Sequence, residues 1–538
     1  MLANFYNLGI KQRRIRAEKK MLVVLIIALL VFGFCRTSWA YGVNISDVEL
    51  TNPDATQKII TIKFNISWTN SFRFSNFYDA VWVFGKYSKD GTTWKHIKLK
   101  TEGQNWCRYP SPNAQYKYSI KTNDQTNSKI FANLEILVPS DKVGCFIQPA
   151  TQNNNQYGIR DVDAEVNIVW DWGSNGLQPS DKVKVKLFAI EMVRIPRGSF
   201  SLGMTSDYST SNCFYKYGSP PSTYQIGGES AITLIKQSPN LCYSNLSGSV
   251  TLPNDYPKGY NAFYIMKYEV TQKLYSEFLN TIGSSSNSRF MNQFGNNRNF
   301  ITQSNGTYGC DANNNGVLND YADGQDIACN FLSINDALYF ADWAGLRPMS
   351  EFEFEKAARG GESDSTGNYV WGNQFIKSLE EITEESTASE AKNTYLANCN
   401  IKNMPNPGGP VRVGLFSYFS AEDAMYKVIK EDTRRILAGA SYYGVMELAG
   451  NVAEICVGTN SDSVSFKGSE HGDGDVSSLP SWPTAARAYG LRGGGWSSES
   501  TTRARTADRQ DMSFFENRSK EDYRDSNVGF RAVRTAPD

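Results

Sequence analysis

The chain has 538 residues, of which 40% are hydrophobic, 20% charged and 13% aromatic. That length exceeds one ordinary core, and the aromatic content excludes a disordered chain. Lys+Arg and Asp+Glu both number 55, so no net charge draws the chain to nucleic acid or an anionic membrane, and neither is an expected partner.

Residues 1–40 read as a signal peptide. Basic residues crowd Lys11–Lys20, the apolar run Met21–Phe34 follows, and Ser38 and Ala40 supply small residues for cleavage after Ala40. The run falls short of the roughly 20 residues of a membrane helix. Export to the medium or the cell surface is therefore expected, with no transmembrane segment after signal removal. Beyond it lie Cys107, Cys145, Cys213, Cys242, Cys310, Cys329, Cys399 and Cys456. An even set in an exported protein implies disulfides; eight thiols permit about 105 connectivities, and sequence neighbours suggest 107 with 145, 213 with 242, and 310 with 329.

Residues 41–190 carry strands and turns. ITIKFNISW places Ile60, Ile62, Phe64, Ile66 and Trp68 on one face, the period of a half-buried strand. DAVWVFGKY and KHIKL flank a turn at Asp90 and Gly91, and KIFANLEILV, AEVNIVWDW and KVKVKLFAIEMVRI are further strands. Strands at this spacing without helices predict an all-β sandwich of immunoglobulin (Ig-like) size. His96, alone among lysines, reads as solvated.

Residues 191–538 change character to an α+β pattern with much irregular structure. After MVRIPRGSFSLGM, the segment between Met204 and Gly259 reads as a long insertion held by Cys213 and Cys242. In GYNAFYIMKYEVTQKLYSEFL a strand leads through a Glu-Val-Thr turn into a helix capped by Thr271. Ser333 caps a second helix that Gly345 ends, and Ser350 with Glu353 forms the capping box of a third. CDANNNGVLNDYADGQDIAC opens like an EF-hand loop: Asp311, Asn313 and Asn315 offer alternate oxygens, Gly316 the turn and Val317 a carbonyl, with Asp320, Asp323 or Asp326 to close the shell. The other reading is an Asn/Asp-rich turn.

Near the end, GVMELAGNVAEI is followed by LRGGGWSSESTTRARTADRQDMSFFENRSKEDYRDSNVGFRAVR. These blocks, with Tyr369–Asn373 and the helices before them, resemble the formylglycine-generating enzyme family, the sulfatase-modifying-factor domain, whose scaffold is a C-type-lectin-like variant. The family's oxidase activity rests on two Cu(I)-binding cysteines; the matching positions here are Ser498 and Arg503. A hydroxyl is a hard ligand and a guanidinium repels a cation, so no copper is expected. Related iron-dependent members need two or three imidazoles, and the chain holds only His96 and His471, so no iron is expected either.

The resemblance further implies a structural calcium position at Glu447, the carbonyls of Gly450 and Val452, and Glu454, with Glu447 standing where the enzymes carry Asn. For the family's other calcium, Asn398 and the Cys399 carbonyl match, and the downstream Asp does not. Eight arginines after Leu491 interleave with acids, which reads either as internal ion pairing or as a ligand surface. The scaffold uses this region to hold a peptide, and Trp496, Ser498, Arg503, Arg505, Phe514 and Tyr523 are the candidate contacts. The same scaffold with a variable C-terminal segment resembles the target proteins of diversity-generating retroelements. The expectation is an exported, non-catalytic protein that binds an extracellular peptide, protein or glycan. An oxidase with unrecognised residues and a self-assembling structural component are the alternatives.

Overall fold

Twelve strands join into a single sheet that runs through both halves of the chain. The structure is a computed structural model describing residues 39–40, 42–74, 76–100, 134–149, 157–362, 367–402, 407–417 and 435–537. Residues 1–38 of the expected signal peptide, and Cys107, lie outside them. The principal strands are β1 (Val43–Asp54), β2 (Ile59–Phe74), β3 (Phe77–Ser88), β4 (Cys145–Pro149), β5 (Tyr157–Trp170), β6 (Lys184–Ile195), β7 (Phe263–Met266), β8 (Arg347–Pro348), β9 (Ala453–Val457), β10 (Tyr489–Arg492), β11 (Val528–Gly529) and β12 (Ala532–Thr535). The main helices are α1 (Gln272–Leu279), α2 (Ile334–Trp343) and α3 (Glu351–Arg359).

β2 follows its alternation, with Ile60, Ile62, Phe64, Ile66 and Trp68 all buried. β1 and β5 flank it, while β4 and β6 both pair with β3. β2 and β3 meet only at the corner Arg73↔Tyr78 and Phe74↔Phe77. The chain therefore forms two layers, and Phe64 and Ile66 pack against Val81, Val83, Ile147 and Leu187 between them. Among the described residues before Lys184 there are strands and no helix.

β3 and β6 are apolar on both faces because both faces are covered. Their other sides present Trp82, Phe84, Phe188, Ile190 and Met192 to a larger core containing Phe278, Phe340 and Trp343. β6 crosses residue 190, pairing with β3 on one edge and β7 on the other, and the sheet continues through β12 to β8. The two halves thus share one sheet. The Trp82 Nε1 donates to the Ala344 carbonyl at 2.8 Å, and Lys86 Nζ donates to the carbonyls of Trp343 at 2.9 Å and Gly474 at 2.6 Å.

His96 corrects the expectation that it is solvated: it is buried. Its Nδ1 lies 3.0 Å from Lys86 Nζ and its ring is parallel to Phe84. Its strand is too short for local pattern to reveal that the second half covers it.

The helix starts follow their caps. Thr271 Oγ1 accepts from Leu274 N at 3.2 Å, and both Ser333/Asp336 and Ser350/Glu353 close reciprocal capping boxes. The insertion after Met204 forms a small four-stranded sheet, and no disulfide holds it. All seven described cysteines are free and buried, which overturns the suggested pairs 213 with 242 and 310 with 329. Their thiols face backbone oxygens instead: Cys213 the Met204 carbonyl and Cys242 the Tyr215 carbonyl, each at 3.6 Å, and Cys329 the Asn330 carbonyl at 3.7 Å. Among the described residues no helix is long and apolar enough to cross a membrane.

Candidate functional site

The candidate site grows from the end of β10. There Gly493, Gly494 and Gly495 carry the chain across β9, and each is required by contact. A Cβ on Gly493 would lie 2.6 Å from the Leu448 carbonyl, and one on Gly495 would lie 2.4 Å from Asn527 Oδ1. At Gly494, with φ +65°, it would lie 2.8 Å from Arg503 Cβ and 3.3 Å from Ser498 Oγ. Ser498 and Arg503, five residues apart, are therefore neighbours over one glycine.

Ser498 Oγ accepts from Gly495 N at 3.0 Å and so closes the turn. Arg503 sits on a short 3₁₀ turn capped by Ser500 and extends to Asp511 at 3.3 Å and Asp508 at 3.7 Å. Burial pushes the carboxyls of Asp508 and Asp511 up, and the Arg503 guanidinium opposes that shift. Arg505 pairs with Asp207 at 3.2 Å.

Helix α3 anchors Arg492 and Arg509. Glu351 meets Arg492 at 3.1 Å and Arg509 at 2.5 Å, and Glu355 meets Arg492 and Arg359, both at 3.0 Å. Arg531 pairs with Glu454 at 2.8 Å, Arg524 with Asp336 at 2.7 Å, and Arg534 with Asp141 of the first half. For these five C-terminal arginines, internal pairing is what the structure contains, and the acids come from distant elements rather than from interleaved neighbours.

The candidate aromatics divide. Trp496 is buried, its Nε1 donating to the Ser526 carbonyl at 2.8 Å. Phe514 and Tyr523 remain half-exposed, with ring centroids 5.9 Å apart. The Arg518 guanidinium lies over both, at 3.6 Å and 4.7 Å from their centroids. Sequence reasoning missed Arg518 as a site residue; its place four residues after Phe514 was the available signal.

Residues 185–536 match the model of the sulfatase-modifying factor enzyme 1-like domain. The chain belongs to the sulfatase-modifying factor family. The match begins inside β6, at the strand shared with the first half. No curated protein matches the chain.

In this family member the expected calcium residues near β9 lie in the core. Glu447 Oε1 accepts from Gly414 N at 3.0 Å, and Glu454 Oε1 accepts from Arg531. The second oxygen of each, Glu447 Oε2 and Glu454 Oε2, is buried without a hydrogen-bond partner. Gly450, at φ +78°, packs against the Cys399 thiol and the Asn400 carbonyl, and Val452 N donates to Glu269 Oε1 at 3.0 Å. Glu269 is a third buried carboxylate that sequence reasoning missed. Burial raises its pKa most, opposed by Arg531 and reinforced by Glu447 and Glu454. A carboxylate between the apolar Tyr268 and Val270 was its signal. Burial likewise pushes Glu447 up to about 7.

The Asp311 loop also draws its side chains together. Asp311 accepts from the amides of Asn315 and Gly316, and Asp320 accepts from Asn313 and Asn315 side chains, the latter at 2.7 Å. Val317 is exposed, and its amide donates to Asn315 Oδ1. Asp323 accepts from Asp320 N through Oδ2 while its buried Oδ1 has no partner, and burial pushes its carboxyl up to about 6. Among the described residues no three His, Cys, Asp or Glu side chains converge to hold a metal by themselves. At both places amide or backbone oxygens would have to complete a shell, which suits calcium rather than a transition metal.

Proposed function

We propose that this sulfatase-modifying-factor protein is exported and non-catalytic, and that it binds an extracellular peptide, protein or glycan through its C-terminal loops. The observation that carries the reading is the pair over Gly494. The two positions matching the copper cysteines are adjacent, and they hold a hydroxyl and a guanidinium that is itself ion-paired to Asp511. Such a pair offers no soft ligand for Cu(I). Arg503, Arg505, Phe514, Arg518 and Tyr523 then supply charge and aromatic surface of the kind that recognises ligands.

Calcium belongs to the same proposal. Asp311, Asn313, Asn315, Asp320 and the Val317 carbonyl would hold one ion, and Glu447, Glu454 and the carbonyls of Gly450 and Val452 another; the orphaned oxygens Glu447 Oε2 and Glu454 Oε2 support the second. The first half serves as an Ig-like sandwich that carries the binding domain.

Two measurements test the reading. Cu(I) titration with an assay for oxidation of a cysteine peptide is expected to show neither stoichiometric copper nor turnover, and either result would reject the non-catalytic role. A glycan and peptide array probed with the wild type and with Phe514→Ala/Tyr523→Ala is expected to show binding that the double variant loses.

A further inference from the structure

Where β3, β6 and β7 run side by side, three charged groups share one face of the sheet. Val81 opposes Glu191, which puts Asp79, two residues earlier on β3, on the same side, and Lys267 just after β7 bonds its amide to the Glu191 carbonyl at 2.9 Å. All three side chains are buried. Lys267 Nζ lies 3.0 Å from Glu191 Oε2 and 3.8 Å from Asp79 Oδ2, among Trp68, Phe72 and Tyr268.

An ion pair needs one carboxylate for one ammonium, and this site has two. Their environments differ. Asp79 Oδ1 accepts from both Ser71 Oγ at 2.9 Å and Phe72 N at 3.0 Å, and Oδ2 accepts from Trp68 Nε1 at 3.1 Å. Glu191 binds Lys267 through Oε2, while its Oε1 is buried beneath Gly42 with no hydrogen-bond partner. One carboxyl is thus polarised by fixed donors, and the other keeps an oxygen available to a proton.

We propose that Lys267 and Asp79 condense into an intramolecular isopeptide bond, with Glu191 moving the protons. The Lys267 amine attacks Asp79 Cγ, and the charge that develops on Oδ1 is met by Phe72 N and Ser71 Oγ, placed as an oxyanion hole. The Nζ–Cγ bond forms and the Cγ–Oδ2 bond breaks. Oδ2 leaves as water with two protons from the ammonium, relayed through Glu191, which ends in the state in which it began. The reaction consumes no oxidant, reductant or co-substrate.

Burial favours the reactive forms. It raises the Asp79 carboxyl, against the nearby Lys267 charge, and pushes Glu191 up to about 7, so Glu191 can both take and give a proton near neutral pH. The product is an uncharged amide where the Lys267–Asp79 ion pair stood, with the Glu191 carboxyl left beside it. It would bind the first half of the chain to the sulfatase-modifying-factor domain across β6, at the junction where the two share their sheet.

The test is a protease digest of the purified full chain read by tandem mass spectrometry. The expected result is a branched peptide joining the Asp79 and Lys267 segments, lighter than their sum by one water. Recovery of both segments only unbranched from folded protein means a structural ion triad only, and overturns the proposal. Lys267→Arg is expected to abolish the branched peptide, and its persistence would overturn the assignment of the amine. Glu191→Gln, with folding checked by its thermal transition, is expected to slow the appearance of the branched peptide at least tenfold after refolding. An unchanged rate would remove Glu191 from the chemistry.

Discussion

Arg492 and Glu351 meet 3.1 Å apart with neither side chain exposed, tying the strand that leads into the glycine turn to the first turn of α3. Glu351 also receives Arg509 through two nitrogens, at 2.5 Å and 2.9 Å, and the Thr459 hydroxyl at 3.0 Å. One carboxylate therefore holds both ends of the candidate loop, before Gly493 and after Arg505.

Removing that carboxylate strands the buried Arg509 guanidinium and leaves Arg492 with Glu355 as its remaining carboxylate. Glu351→Ala is expected to destabilise the fold by about 3–5 kcal/mol, the range for breaking a buried pair. Arg492→Met should cost less, and the double variant should fall short of the sum because the sites share a partner. Urea unfolding measures all three; a loss below about 1 kcal/mol for Glu351→Ala would show that the network is not the anchor.

Calcium and pH are linked through Glu447. Burial raises its pKa from 4.5 to about 7, so in that interval the folded state holds a proton that the unfolded chain releases. Stability without calcium should accordingly fall as pH rises from about 4.5 through about 7. A cation at the carboxylates opposes that loss. Scanning calorimetry with chelator should show the melting temperature declining over this window, with calcium restoring it at the upper end. A melting temperature indifferent to calcium would count against both proposed sites.

Gly494→Ala should destabilise by at least about 1 kcal/mol, because the residue needs a positive φ as well as the space. Its new Cβ would press on Arg503 Cβ at 2.8 Å. Gly361→Ala, where no atom stands within 4 Å, is the control and should be close to neutral. Thermal shift of the two variants separates local strain from a generic effect of losing glycine.

The seven described cysteines are free thiols, and burial makes them poor nucleophiles, with Cys213 pushed up to about 12. Alkylation without reductant should be slow on the folded protein and should label all seven in denaturant. Cys213 and Cys242 left unlabelled in denaturant would show that they are bonded after all.

Local features were legible in the sequence. The alternation from Ile60 to Trp68, the capping boxes at Ser333 and Ser350, and the triple glycine before Trp496 depend on neighbours within a few residues, and so does the family resemblance carried by these blocks. Tertiary structure decided the rest. It buried His96 and Trp496, left the seven described cysteines unbonded, ran one sheet through residue 190 and brought Glu269 to Glu447 and Glu454. Arg492 finds Glu351 141 residues away. Which face of a strand is covered, and which carboxylate meets which guanidinium, is set by segments that only the folded chain brings together, and charge order along the chain carries no record of those partners.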